Sequence, residues 1–389
     1  MSKAFIVKGK ESRVEYGHPW IFKSDISHTT GDIYPGDIVD VYSFKNKFLG
    51  RGYINPKSQI TIRMLTYEQE EINYDFLYKR INAAWEYRKI VADTNSCRAV
   101  FAESDFLPAL VVDKFSDILV VQTLALGMDR FKPQIVDILD QIIKPRGIFE
   151  RNDVPVRELE GLPQQKGFLK GKFDTTVEMI ENGVRFMVDV ENGQKTGFFL
   201  DQKENRAAIA PFVKDAKVMD CFTHTGSFAL HAGLYGAKSV LGIDISEHAV
   251  EYATKNAHLN GLQDVVKFQA ANTFDILRDF YDKGEMFDTI ILDPPAFTKT
   301  RNAVEGAVRG YKEINLRAMK IINSGGFLIT CSCSHHVDSE LFMDILYDAA
   351  ADSKRKVRLI EYRSQAKDHP VLLASTETEY LKCAILHVV

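Results

Sequence analysis

Two short segments hold the side chains best suited to chemistry. In FDTIILDPPAF an apolar run leads into Asp293, after which Pro294 and Pro295 end the ladder and fix the direction in which the chain leaves. A carboxylate held that rigidly at a strand tip is expected to act on a ligand, because a turn alone does not require it. In GGFLITCSCS, Cys333 lies just beyond another apolar run. A thiol and a carboxylic acid on neighbouring strand tips suit one demanding reaction, methylation of the C5 carbon of a pyrimidine. That carbon is a poor nucleophile. A thiolate adding to C6 gives C5 enamine character; C5 then attacks a sulfonium methyl group, and loss of the C5 proton expels the thiolate. An acid hydrogen-bonded to N3 offsets the charge that develops on the ring. Cys333 and Asp293 are therefore the candidate catalytic pair.

The other cysteines read differently. Cys331 shares a strand face with Cys333 if the strand runs through both, yet cysteine is also a common buried small residue. CSCSHH (331–336) raises metal binding, but no second ligand pair stands at zinc-like spacing, and no metal is expected. Cys221 reads as core, and Cys97 and Cys383 have no chemical partner in sequence. Five cysteines in 389 residues make no disulfide framework, so reduced thiols are expected.

A cofactor crevice is foreshadowed upstream. VMDCFTHTGSFAL sets Asp220, Phe222, Thr223 and Gly226 between a strand and a helix, where backbone N–H groups can face a polar ligand. Alone, this is also what an ordinary strand-to-helix turn looks like, since GxGxxG is absent. GIDIS then places Asp244 and Ile245 at a second tip, with Asp244 24 positions after Asp220, close to the offset at which an acid accepts hydrogen bonds from ribose hydroxyls. AANTFD adds Asn272 and Thr273; the Asn272 amide suits an adenine edge, or a helix N-cap, and the two roles are compatible. NAD uses the same kind of crevice. The missing glycine fingerprint and the DPP tip argue against hydride chemistry and leave S-adenosylmethionine as the expected cofactor.

The elements that position these residues follow from periodicity. AKVMDCF, KSVLGIDI, VVKFQAA, FDTIILDPP and GGFLITCSC alternate with helical stretches, which predicts an α/β Rossmann-like domain with a mostly parallel, doubly wound sheet over 191–389. The candidate residues all fall at the carboxyl ends of its strands. Over 1–72, KAFIVKG, GDIVDVYSF, FLGRGYI and QITIRML between turn signals predict a small β-barrel. Over 73–190 a small α+β domain is expected: a helix burying Phe76, Leu77, Ile81, Ala84, Trp85 and Ile90, a hairpin across KFSD, a helix at 131–143 and a strand at GIFER.

Composition bounds the setting. The hydrophobic share of 45% is ordinary for a globular protein, and no apolar run is long enough to span a membrane. The first residues lack an apolar signal core, so a cytoplasmic location is expected. A net charge of −4 gives no global attraction to nucleic acid, but residues 1–66 carry 10 Lys+Arg against 6 Asp+Glu.

Along nearly its whole length the chain resembles the RlmI-type large-subunit ribosomal RNA methyltransferases of bacteria and archaea, which form 5-methylcytosine. GHPWIF and GDIVDVYSFKNKFLGRGYINPKSQITIRML are similar to that family's PUA domain, and ESDFLPALVVDKF to its central domain. QKTGFFLDQ (194–202), DCFTHTGSF, GIDIS, DPPAF, GYKEIN (310–315) and SCS (332–334) are similar to its catalytic domain. The resemblance implies that QKTGFFLDQ packs on the cofactor through Phe199 and Gln202, that Asp244 holds the ribose, and that Cys333 is the nucleophile, leaving Cys331 an additional residue. It further implies a ribosomal RNA partner, positioned by phosphate contacts to the PUA-like barrel. The target base must leave its stack to present C5 and C6, with Phe297 and Tyr311 as stacking candidates. A homodimer is compatible with the sequence.

Two positions depart from related enzymes. Asn272 stands where an acid is common, and Ala296 where another branch of RNA cytosine methyltransferases has a second cysteine for product release. Two competing functions share the motifs. DPPAF also resembles the signature of enzymes that methylate exocyclic amines, which gives an RNA guanine N-methyltransferase, and a noncatalytic RNA-binding ribosome-assembly factor would keep the cofactor crevice alone.

Overall fold

A computed structural model describes residues 2–298 and 300–389, and the chain divides into two compact units. The first holds Met1–Met179, Val188–Leu200 and Lys367–Thr378; the second holds Ile180–Met187, Asp201–Ala366 and Glu379–Val389.

Six strands open the first unit: β1 (Lys3–Ile6), β2 (Trp20–Phe22), β3 (Ile26–Thr30), β4 (Ile38–Tyr42), β5 (Phe48–Ile54) and β6 (Ile60–Thr66), in the order β2-β6-β5-β4-β1-β3. Only β1 and β4 pair in parallel. Their alternation buries Ala4, Ile6, Val39, Val41 and Ile62 and turns the intervening residues outward. One outward row crosses four strands: Phe5 pairs with His28 and with Tyr42, and Tyr42 with Phe48. The Phe5 ring centroid lies 4.5 Å from that of His28 and 5.6 Å from that of Tyr42.

A second sheet follows, of β7 (Ser96–Phe101), β8 (Leu110–Phe115), β9 (Ile118–Thr123), β10 (Gly147–Asn152) and β11 (Gln165–Lys170), in the order β11-β10-β9-β8-β7. Its core also takes in Tyr53 of β5 and Leu65 of β6, so the two modules expected at 1–72 and 73–190 share apolar packing. A buried polar cluster joins them as well: Glu160 accepts hydrogen bonds from Ser58 Oγ (2.5 Å), Asn55 Nδ2 (3.0 Å) and Arg63 Nη1 (3.0 Å).

The helix Tyr74–Val91 buries Phe76, Leu77, Ile81, Ala84 and Trp85 as its spacing predicted, but not Ile90, which is 83% exposed. Arg88 replaces it on the inner face. Its guanidinium is fully buried because Asp105 and the carbonyls of Arg98 and Asp368 accept its hydrogen bonds.

Strands β12 (Thr176–Glu181) and β13 (Val184–Asp189) form a two-stranded sheet. The second unit's sheet comprises β14 (Lys217–Cys221), β15 (Ser239–Asp244), β16 (Val266–Ala270), β17 (Phe287–Leu292), β18 (Ile322–Ser332), β19 (Val357–Arg363) and β20 (Lys382–Val388). The order is β16-β15-β14-β17-β18-β20-β19, and β20 alone runs antiparallel to the rest of the sheet. This is the expected doubly wound sheet, extended by two strands at its end. Successive strands are laid to one side of β14 and then to the other, so a crevice opens at the carboxyl ends of β14 and β17, where such sheets bind ligands.

Candidate functional site

The loop leaving β14 is built around Asp220, which is 1% exposed. Its Oδ2 accepts bonds from Thr223 Oγ1 (2.5 Å) and from the Ala229 N–H (2.9 Å), while Oδ1 has no partner among the described residues. Burial, reinforced by Asp293 and Asp244, pushes this carboxyl up to about 7 despite those two bonds. A carboxyl so placed favours a ligand that brings a positive charge or a hydrogen-bond donor to it.

The turn itself is left-handed at Phe222 (φ 64°), His224 (φ 52°) and Gly226 (φ 87°). At Gly226 a Cβ would lie 2.8 Å from Phe268 Cζ, so glycine meets both the backbone angle and the packing against β16. The helix Ser227–Leu234 starts here and faces the crevice with its N-terminus.

Asp244, half-buried at the tip of β15, accepts the His224 N–H (2.9 Å) and the Ser246 N–H (3.0 Å). Both oxygens thus clamp the loop and retain lone pairs for further donors. Ile245 beside it is 73% exposed. Asn272 caps the helix Thr273–Lys283, accepting the Phe274 N–H at 2.9 Å, and Thr273 is buried behind it. The Asn272 amide nitrogen has no partner among the described residues, so the cap leaves its donor available. Both uses foreseen for this residue are therefore compatible with its placement.

Asp293 follows β17 directly. Gln202 Nε2 donates to its Oδ1 at 2.8 Å, and Asn205 Nδ2 in turn donates to Gln202 Oε1 at 2.7 Å. Gln202, expected from resemblance to touch the cofactor, is thus bonded to the candidate acid. Phe199, its expected companion, belongs to the first unit, where the Lys195 ammonium lies 4.6 Å from its ring.

On the next tip, β18 ends at Ser332 and Cys333 begins the loop. The Cys333 thiol is half-buried, with Sγ 3.8 Å from the carbonyl oxygen of Pro294, the residue after Asp293. Cys331 is fully buried opposite Cys383 of β20; burial, then Cys383, push its thiol well up, which suits a core residue. Cys97, Cys221 and Cys383 are buried too, so Cys333 is the accessible thiol. Among the described residues no group of three or more His, Cys, Asp or Glu could hold a metal ion.

Of the two stacking candidates, Phe297 is half-buried, with ring centroids 4.5 Å from Tyr311 and 6.1 Å from Phe274. Tyr311 is fully buried, and its hydroxyl meets Ser334 Oγ at 2.9 Å. Tyr311 is thus a core aromatic that backs Phe297, and Phe297 alone of the pair retains exposed ring.

Sequence reasoning overlooked Lys382. It stands on β20 opposite Ser332, 3% exposed, and donates to the carbonyls of Ser334 (2.8 Å) and Tyr380 (2.9 Å). The signal was a lysine within the otherwise apolar run LKCAIL.

Comparison with known proteins agrees with this architecture. Residues 5–67 match a PUA-like domain, and residues 163–376 match the S-adenosylmethionine-dependent methyltransferases. A protein of Vibrio cholerae named ribosomal RNA large subunit methyltransferase I is 42% identical over 98% of this chain and 99% of its own. Its namesake in Shewanella denitrificans is 41% identical over 98% of both chains. A solved structure from Streptococcus mutans, assigned to the S-adenosylmethionine-dependent methyltransferases, superposes over the full length of both chains with a TM-score of 0.85 at 18% identity, a likeness of fold.

Proposed function

The chain belongs to the S-adenosylmethionine-dependent methyltransferases, within the family named ribosomal RNA large subunit methyltransferase I, and from this we propose that it forms 5-methylcytosine in large-subunit ribosomal RNA through a bond from Cys333 to C6 of the base. The observation that carries the proposal is the meeting of the only accessible thiol with the Asp293 loop, Cys333 Sγ lying 3.8 Å from the Pro294 carbonyl.

The crevice residues suit the cofactor. Asp220, with its unpaired Oδ1, matches the cationic amino group, Asp244 the ribose hydroxyls, and the Asn272 amide, backed by the buried Thr273, the adenine edge, with Phe222, Thr223, Gly226 and Ile245 forming the walls. When bound, S-adenosylmethionine supplies an electrophilic methyl group.

The protein's own residues then divide the work on the base. Cys333 as thiolate adds to C6, forming the S–C6 bond while the ring's π electrons move toward C5 and N3. Asp293, oriented by Gln202, donates a hydrogen bond from its acid form to N3 and offsets the charge arriving there. C5 takes the methyl group; removal of the C5 proton re-forms the C5–C6 double bond and returns the electron pair of the S–C6 bond to sulfur. Phe297 offers a ring against which the extruded base can stack.

RNA carrying 5-fluorocytosine tests the covalent step, because fluorine at C5 leaves no proton to remove and the adduct accumulates. With cofactor present, peptide mapping should find the nucleotide on Cys333. Methylation without any adduct, or full activity in Cys333→Ser, would instead favour a guanine N-methyltransferase using the DPPAF tip.

A further inference from the structure

Lys382 has no place in the chemistry above, yet few residues in the second unit are so unusually housed. A lysine ammonium is costly to bury without a carboxylate. Lys382 is 3% exposed and has no carboxylate within 4.0 Å among the described residues; two backbone carbonyls, of Ser334 and Tyr380, hold it instead. One of those carbonyls belongs to the residue after Cys333, and on β20 Lys382 is paired with Ser332, the residue before it. The ammonium is therefore fastened to the peptide that carries the candidate nucleophile.

We propose that Lys382 is a positioning residue for Cys333, holding the loop after β18 by its two carbonyl bonds and favouring the thiolate by its buried positive charge. The proposal rests on Cys333 being the reactive thiol and adds to it the group that ionises it. Charge balance around the pair supports it. Burial lowers the Lys382 ammonium to about 8, while Cys333, Asp338 and Glu379 oppose that fall, so each ionised neighbour favours the ammonium form. Other titratable groups near the thiol include Tyr311, Asp293 and, two residues along the chain, His335. Burial raises the Tyr311 phenol and keeps it neutral, and a carboxylate at Asp293 would disfavour a thiolate, whereas the Lys382 ammonium favours one.

The experiment reads the thiol directly and needs no methyl transfer. Because the other four cysteines are buried, iodoacetamide should alkylate Cys333 selectively in the folded full-length protein, with peptide mass spectrometry confirming the position. The alkylation rate is followed against pH in wild type, Lys382→Met and Lys382→Arg. The midpoint should rise by about one pH unit or more in Lys382→Met and stay with wild type in Lys382→Arg. A midpoint unmoved in a folded Lys382→Met protein overturns the proposal, even if the rate falls at every pH, which is what a purely structural tether would produce. If Lys382→Met does not fold, the reciprocal measurement decides. NMR titration of the Lys382 side chain should show a lower midpoint in Cys333→Ala than in wild type, and equal midpoints overturn the coupling. Failure of the parent reading would look different: methylation would persist in Cys333→Ser whatever the alkylation profile.

Discussion

Asp220 is buried with one oxygen bonded into its loop and the other unpartnered, and its carboxyl is raised to about 7. Because the unfolded chain ionises near 3.8, the folded form binds the extra proton between those values. Stability contributed here is therefore present at low pH and falls as pH rises toward 7. A cationic ligand reverses the preference, since it binds the ionised carboxyl. Cofactor affinity, measured by calorimetry, should tighten as pH rises from about 6 to about 8, with protons released on binding, and Asp220→Asn should flatten that dependence. Flat wild-type binding would remove Asp220 from the cofactor site. Cys333→Ser should abolish methylation while leaving cofactor affinity unchanged, because the role proposed for the thiol is toward the base and not the cofactor.

Among the elements, strands β14 to β18 were legible because each is an apolar run ending in a turn or a polar residue, and the candidate residues follow from those endings. Strands β19 and β20 were not. Strand β19 is largely exposed and reads as a polar segment, and β20 carries the buried Lys382, so neither shows the pattern of a core strand. The helix Tyr74–Val91 shows the converse error. Ile90 fits an apolar stripe by type, but Arg88 takes the inner face because partners distant in sequence, Asp105 and Asp368, satisfy its charge. At Gly226 local geometry makes a sharp demand. Gly226→Ala should cost about 1–2 kcal/mol from the left-handed backbone alone, with more from the Phe268 contact, and should weaken cofactor binding. Thermal unfolding and calorimetry check both, and an unchanged melting temperature would contradict the strain.

For the whole molecule, a net charge of −4 leaves RNA affinity to local surface. We infer that the PUA-like barrel is that surface, where Lys3 lies 5.0 Å from the Tyr42 ring, and Lys8 and Lys45 lie 5.7 and 5.5 Å from the Phe44 ring. Replacing all three lysines with glutamine should weaken RNA binding and make its salt dependence shallower by roughly 0.7 in log–log slope per lost phosphate contact, with cofactor affinity unchanged. An unaltered slope would place the RNA elsewhere. Sequence patterning announced this barrel but not its shared core with the following module, because the joining residues, Tyr53, Leu65 and Glu160, lie far apart in the chain. The same holds for segments 188–200 and 367–378, which pack with the first unit although they border or interrupt the catalytic domain in sequence.

The central claim, cytosine C5 methylation dependent on Cys333, is tested most directly by mapping 5-methylcytosine in large-subunit ribosomal RNA from cells lacking this gene and from the same cells given wild-type or Cys333→Ser protein. One cytosine should lose its methyl group without the gene, regain it with wild type and remain unmodified with Cys333→Ser. An unchanged map, or restoration by Cys333→Ser, would contradict it.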